Sequence, residues 1–268
     1  MVLFHRQFGE GPALIIAHGL YGSSDNWLTI GRELSRYFKV FIIDQRNHGQ
    51  SPHSNVHTYE AMKEDLREFM DDNGLDSAVL TGHSMGGKTV MLFAADYPDR
   101  VNGLIVIDMA PGSYQLPGRQ NRITADHESI LSGLLRLDLK QYHERKAVEE
   151  AMSSFIPSPD IRQFLLKNLK RSADNTFTWK INLAALHHNL DKILGGINIP
   201  PFEKRDQGTG FPVLFIRGEF SGYITPVDEE EIHQIFPNAE IKTVPRAGHW
   251  VHAEQPQLLL KMITDFIL

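Results

Sequence analysis

Five short runs of branched apolar residues constrain this chain most: Ala13-Leu14-Ile15-Ile16-Ala17, Val40-Phe41-Ile42-Ile43, Ala78-Val79-Leu80, Leu104-Ile105-Val106-Ile107 and Val213-Leu214-Phe215-Ile216. Each is followed by polar or Gly-rich sequence. A strand with one face in water alternates apolar and polar residues, whereas a strand covered on both faces stays apolar throughout. The runs therefore predict a mostly parallel sheet with helices crossing over both faces. A weaker last strand is expected at Ala239 to Val244, where apolar and polar residues alternate. Between the runs, Leu66, Phe69 and Met70 recur at helical spacing, and Val90 to Ala95 follow a Gly pair. The fold class is α/β, doubly wound.

The rhythm stops from about Gly112 to Gly210, where no buried strand is expected. Leu131, Leu134, Leu135 and Leu137 predict one amphipathic helix, Phe164 to Leu169 a second, and Leu183 to Leu194 a third, punctuated by Pro157, Pro159, Pro200 and Pro201. About 100 residues without a strand exceed one crossover. Residues 112–208 are therefore read as a helical lid, or cap, inserted into a core formed by 1–111 and 209–268. Such a lid covers the carboxyl ends of the strands, where open α/β sheets bind ligands.

Composition removes several classes. The 268 residues carry a formal net charge of −6 and no basic block, so neither nucleic acid nor an anionic membrane surface is an expected partner. No segment approaches 18 apolar residues, so no membrane span is expected, and Met1 to Arg6 does not read as a signal peptide. With no cysteine there is no disulfide, thiolate metal site or cysteine nucleophile, and a cytoplasmic location is expected. Nothing in the sequence sets an oligomeric state.

The chemistry centres on Gly82-His83-Ser84-Met85-Gly86-Gly87, between a buried run and a helix. This G-x-S-x-G element holds a serine on a tight strand-to-helix turn, with glycine two residues to either side because side chains there would strike the neighbouring backbone. The helix start supplies N–H groups beside the serine oxygen. Acyl transfer needs two donors for an oxyanion. The pair expected is the backbone N–H of Met85 and that of Leu20, after His18-Gly19; the His18 side chain is read as structural. A serine nucleophile also needs an imidazole to take its proton. Of 13 histidines, His249 in Gly248-His249-Trp250 stands out, because it follows the final strand in the order nucleophile, acid, histidine. His252 is expected at the surface or behind the site. His187 and His188 are adjacent on a helix and point apart. No metal-binding spacing such as H-E-x-x-H occurs, so no metal and no cofactor are expected.

Together His18-Gly19, Asp44-Gln45-Arg46-Asn47-His48-Gly49-Gln50-Ser51, Gly82 to Gly87 and Gly248-His249-Trp250 resemble, from end to end, the α/β-hydrolase fold superfamily. Arg46 to Gly49, Leu104 to Pro111 and Gly248 to Glu254 are similar to small bacterial esterases of the YbfF type, relatives of the mammalian abhydrolase-domain protein eleven. The resemblance implies a lid inserted after the sixth strand. It also implies a cofactor-free serine hydrolase for carboxylic esters or thioesters, acyl-CoA among them.

Many members of the superfamily carry the third catalytic residue, an Asp, after the strand that follows the lid. Here that stretch reads Gly218-Glu219-Phe220-Ser221-Gly222-Tyr223, with Ser221 in the Asp place. A hydroxyl cannot stabilise an imidazolium as a carboxylate does. Asp108, which ends the run Leu104 to Ile107, is the preferred acid, since a charge at the end of a buried strand needs a partner. Glu219 is the alternative acid. Asp44 and Arg46 read as turn-fixing residues. Leu20, Tyr114, Trp179 and Trp250 are candidates to contact a small acyl substrate. Competing functions on the same scaffold are C–C bond hydrolysis, a lyase step, or a non-catalytic ligand receptor.

Overall fold

The computed structural model describes residues 1–115, 123–202 and 209–268. In chain order its strands are β1 (His5–Phe8), β2 (Ala13–Ala17), β3 (Lys39–Ile43), β4 (Ala78–His83), β5 (Val101–Ile107), β6 (Leu169–Arg171), β7 (Phe177–Trp179), β8 (Val213–Gly218) and β9 (Ala239–Val244). Seven form one sheet in the order β1-β3-β2-β4-β5-β8-β9, parallel except for β1 against β3.

Alternate residues of each central strand enter different cores. Leu14 and Ile16 pack with Val40, Ile42, Ile105 and Leu214 on one face; Ile15 packs with Phe41, Leu80, Leu104 and Phe215 on the other. The helices Leu28–Leu34 and Pro256–Ile267 cover the first face, and Tyr59–Asp72 and Met85–Asp96 the second. Each fully buried Leu or Ile contributes about 1.5–3 kcal/mol of transfer free energy, so neither face could be left open to water.

Strand register sets the functional end. Ala17 pairs with Gly82, His83 with Ile107, and Ile107 with Ile216. The residues that follow β2, β4 and β5, namely His18, Ser84 and Asp108, therefore emerge side by side at one edge of the sheet.

The insertion follows the fifth strand of this chain, not the sixth. The sheet opens on a single antiparallel edge strand, β1, so one strand fewer precedes the insertion. Between β5 and β8 lie the helices Ile123–Arg136, Arg145–Met152, Pro159–Leu166, Leu183–His188 and Leu190–Leu194. Ser158 caps the third of these by accepting from the Ile161 N–H, with Pro159 at the first helical position, where a missing N–H is harmless. The single helix expected over Leu183 to Leu194 is broken at Asn189. The antiparallel pair β6–β7 was not expected from the apolar pattern, being only three residues per strand and largely exposed. Its turn uses Asn175 at φ +65°, which Asn tolerates well. The expected C-terminal edge of the insertion, at 208, lies outside the described residues. Among the described residues no helix is long and apolar enough to cross a membrane.

Candidate active site

Ser84 sits where β4 turns into the helix Met85–Asp96, at φ +52° and ψ −123°. That conformation is unfavourable for a residue with a Cβ and persists only where surrounding contacts enforce it. Here the Ser84 N–H donates to the Ile107 carbonyl, and the Ser84 carbonyl accepts from Gly87 N–H. Both flanking glycines are required by space. A Cβ at Gly82 would stand 2.3 Å from the Gly86 carbonyl oxygen, and one at Gly86 would stand 2.3 Å from that of Ala17.

The Ser84 hydroxyl is 3.0 Å from His249 Nε2, and His249 Nδ1 is 2.7 Å from Asp108 Oδ2. Asp108 is fully buried at φ +52° directly after β5. Its Oδ1 accepts from the Gly218 N–H at 3.0 Å, and its Oδ2 also accepts from the Ser221 hydroxyl. These donors offset the cost of burying the carboxylate. The hydroxyl at the usual Asp position therefore supports the carboxylate supplied by the neighbouring strand. Glu219 lies elsewhere: it is exposed, and its carboxylate accepts from the Arg246 N–H at 2.7 Å.

Two side chains fix the imidazole. His83 Nε2–H donates to the His249 carbonyl at 2.8 Å, and burial pushes the His83 ring well below the usual histidine range, so it is neutral. The Tyr223 ring stacks on His249 with centroids 3.8 Å apart and planes 13° from parallel. His252 is buried, not at the surface: it stacks on Trp27 and meets His83 edge-on.

The Leu20 loop lies against the elbow. A Cβ at Gly19 would stand 2.9 Å from Ser84 Cβ. Among the described residues neither the Leu20 nor the Met85 backbone N–H has an acceptor. The His18 ring is occupied structurally, with Nδ1–H donating to the Gly19 carbonyl and Nε2 accepting from the Gln45 N–H. Asp44 accepts from the N–H groups of Ser24 and Gln50, and Arg46 forms a two-point pair with Asp65.

A serine hydroxyl bonded to an imidazole, itself bonded to a buried carboxylate, can lose its proton as it attacks a carbonyl. The comparisons agree with that chemistry. The family model for the alpha/beta hydrolase fold matches residues 12–256. The chain belongs to the alpha/beta hydrolase fold family. It is 38% identical to the mouse protein named sn-1-specific diacylglycerol lipase ABHD11, over 96% of this chain and 81% of that one. It is 32% identical to esterase YbfF of Escherichia coli, over 97% and 94%. Among solved structures, a marine microorganism esterase superposes with a TM-score of 0.92 at 44% identity, covering 98% of each chain. The chain is an ester-cleaving hydrolase of the carboxylesterase type.

In this hydrolase a cavity of about 210 Å³ opens beside Ser84 and His249. Leu20 and Trp250, singled out from sequence, line it. Trp179 does not: it lines a separate polar cleft with Arg6, Asp25 and Lys180. Tyr114 is buried behind the site. Its hydroxyl donates to the Tyr223 carbonyl and accepts from the Ala110 N–H, tying the start of the insertion to the loop that carries Tyr223. The apolar walls come largely from the insertion, through Ile123, Ile130, Ile161, Phe164 and Leu165. Tyr21, His127 and Tyr223 also line the cavity and had no sequence signal, since they sit in separate elements without a shared spacing.

Proposed function

We propose that the chain hydrolyses carboxylic esters of short to medium acyl chains through an acyl-enzyme on Ser84. Ser84 Oγ attacks the ester carbonyl while His249 Nε2 takes its proton. Asp108 holds His249 in the tautomer with Nδ1 protonated and stabilises the imidazolium that forms. The N–H groups of Leu20 and Met85 hold the oxyanion, a pair in which one donor typically supplies about 3 kcal/mol of barrier lowering. His249 then protonates the leaving alcohol oxygen as the C–O bond breaks. Water, deprotonated by His249, attacks the acyl-enzyme and releases the acid. Residues 112–208 act as the lid and shape the acyl pocket. With no disulfide to keep oxidised, the chain suits the reducing cytoplasm.

The observation that carries this reading is the hydrogen-bonded string Ser84 Oγ, His249 and Asp108, at 3.0 and 2.7 Å, beneath an apolar cavity. At about 30 Å³ per water-sized group, 210 Å³ holds roughly seven such groups. A panel of nitrophenyl esters of graded chain length tests it. kcat/KM should be highest for acyl chains of about four to eight carbons, and Ser84→Ala should abolish turnover throughout. Turnover that survives Ser84→Ala would overturn the mechanism, and a maximum beyond about twelve carbons would overturn the size argument.

A further inference from the structure

Besides the reacting groups, His83 and Asp126, the largely apolar cavity carries a string of three polar side chains from three separate elements. Tyr21 follows Leu20 in the loop after β2, His127 lies on the helix Ile123–Arg136 of the insertion, and Tyr223 lies in the loop after β8. The Tyr21 hydroxyl is 3.3 Å from His127 Nδ1, and His127 Nε2 is 3.1 Å from the Tyr223 hydroxyl. The Tyr223 ring lies flat on His249. The string thus begins beside the Leu20 loop and ends against the catalytic imidazole.

Counting protons shows that the string is incomplete. Desolvation in the cavity wall, helped by the nearby His249, lowers the His127 imidazole to about 4, so it is neutral at working pH. A neutral imidazole has one N–H and one lone pair. One phenol must therefore donate to the lone pair, while the other accepts from the N–H and keeps its own proton. In either tautomer one phenolic O–H remains without an acceptor among the described residues. Both phenols line the cavity, so the remaining O–H is within reach of a bound substrate.

We propose that the Tyr21–His127–Tyr223 string is a specificity subsite for a second oxygen of the ester substrate. The oxygen would be that of an ether, carbonyl or hydroxyl group, several atoms from the scissile carbonyl. It accepts the unmatched phenolic proton. The proposal rests on the Ser84 reading above and narrows its substrate class to oxygenated esters, because an all-carbon chain leaves the donor unmet.

The test is an oxygen scan on both arms of the ester. On the acyl arm, nitrophenyl hexanoate is compared with its 4-oxa and 5-oxa analogues; on the alcohol arm, hexyl acetate is compared with 3-oxahexyl and 4-oxahexyl acetates, followed by acid release. In the native enzyme one oxygen position should raise kcat/KM about tenfold over the carbon isostere, a ratio equivalent to about 1.4 kcal/mol. In the double variant Tyr21→Phe/Tyr223→Phe that ratio should fall within twofold of unity. The ratio is internal to each variant, so a general loss of activity does not obscure it, and the two single Phe variants serve if the double variant folds poorly. The proposal is overturned if no position exceeds twofold in the native enzyme, or if the preference survives loss of both hydroxyls. Failure of the Ser84 reading looks different: Ser84→Ala would still hydrolyse the all-carbon esters.

Discussion

Replacing Asp108 by Asn changes one atom, and the hydrogen bonds around it set the outcome. In the native site Oδ1 accepts from the Gly218 N–H, and Oδ2 accepts from His249 Nδ1–H and from the Ser221 hydroxyl. An asparagine can enter in two orientations. With its oxygen toward His249, its NH₂ faces the Gly218 N–H, and a buried donor meets a donor at a cost of about 1–3 kcal/mol. With its oxygen toward Gly218, its NH₂ faces His249 and Ser221. The Ser221 hydroxyl oxygen, which already accepts from the Tyr223 N–H, then also accepts from this NH₂, and His249 becomes the tautomer protonated on Nε2, so no donor faces a donor. The second orientation wins, and in it Nε2 cannot accept the Ser84 proton. Wrong-tautomer losses in triads of this kind are about 10⁴ in kcat, which corresponds to about 5 kcal/mol of barrier. Asp108→Asn should therefore keep the native thermal unfolding profile while kcat for a nitrophenyl ester falls by about 10³–10⁴. Glu219→Gln, at a side chain that bonds the Arg246 N–H and not His249, should change kcat less than about twofold. A tolerated Asp108→Asn beside a crippling Glu219→Gln would refute the reasoning.

Two further outcomes are expected from buried groups outside the reacting trio. Lys88, fully buried on the helix after Ser84, donates to the carbonyls of Gly112, at the start of the insertion, and Gly195, after its last helix, and lies over the Tyr114 ring. Lys88→Met leaves two half-buried carbonyls short of a donor, a loss of roughly 3 kcal/mol. Calorimetry should show Tm lowered by about 6–12 °C, and an unchanged Tm would count against the tether. His57 and His252 are buried, and desolvation lowers each to about 3. Below the unfolded value of about 6.5 the unfolded chain takes up protons that these native rings refuse, so stability falls as pH drops from 7 toward the folded values. At pH 5 the loss is about 2 kcal/mol per ring. Urea midpoints at pH 7 and pH 5 should differ accordingly, and equal midpoints would show that these rings do not titrate as described.

The sheet was legible because a strand buried on both faces has no polar residues to obscure it, as in Leu14-Ile15-Ile16. β1 was not legible: as an edge strand it mixes His5, Arg6 and Gln7 with Phe8, and its partner faces only one side. The elbow could be read because its steric demand falls on Gly82 and Gly86, two residues within one short motif. Asp108 could be reached from sequence because a charge ending an apolar run requires an explanation. Ser221 was noticed only as a missing carboxylate, and its donation to Asp108 depends on β5 and β8 being adjacent, which no local pattern records. Tyr21, His127 and Tyr223 meet across more than 200 residues of chain for the same reason. Trp179 misled because aromatic character does not say which of two cavities a side chain will line.

The central claim is that Ser84 is made nucleophilic by His249 and Asp108, and active-site labelling tests it most directly. A fluorophosphonate should leave one adduct, mapped by mass spectrometry to the peptide holding Gly82 to Gly87, with labelling slowed at least about 10³-fold in His249→Ala and absent in Ser84→Ala. An adduct on another residue, or labelling at an unchanged rate without His249, would contradict it.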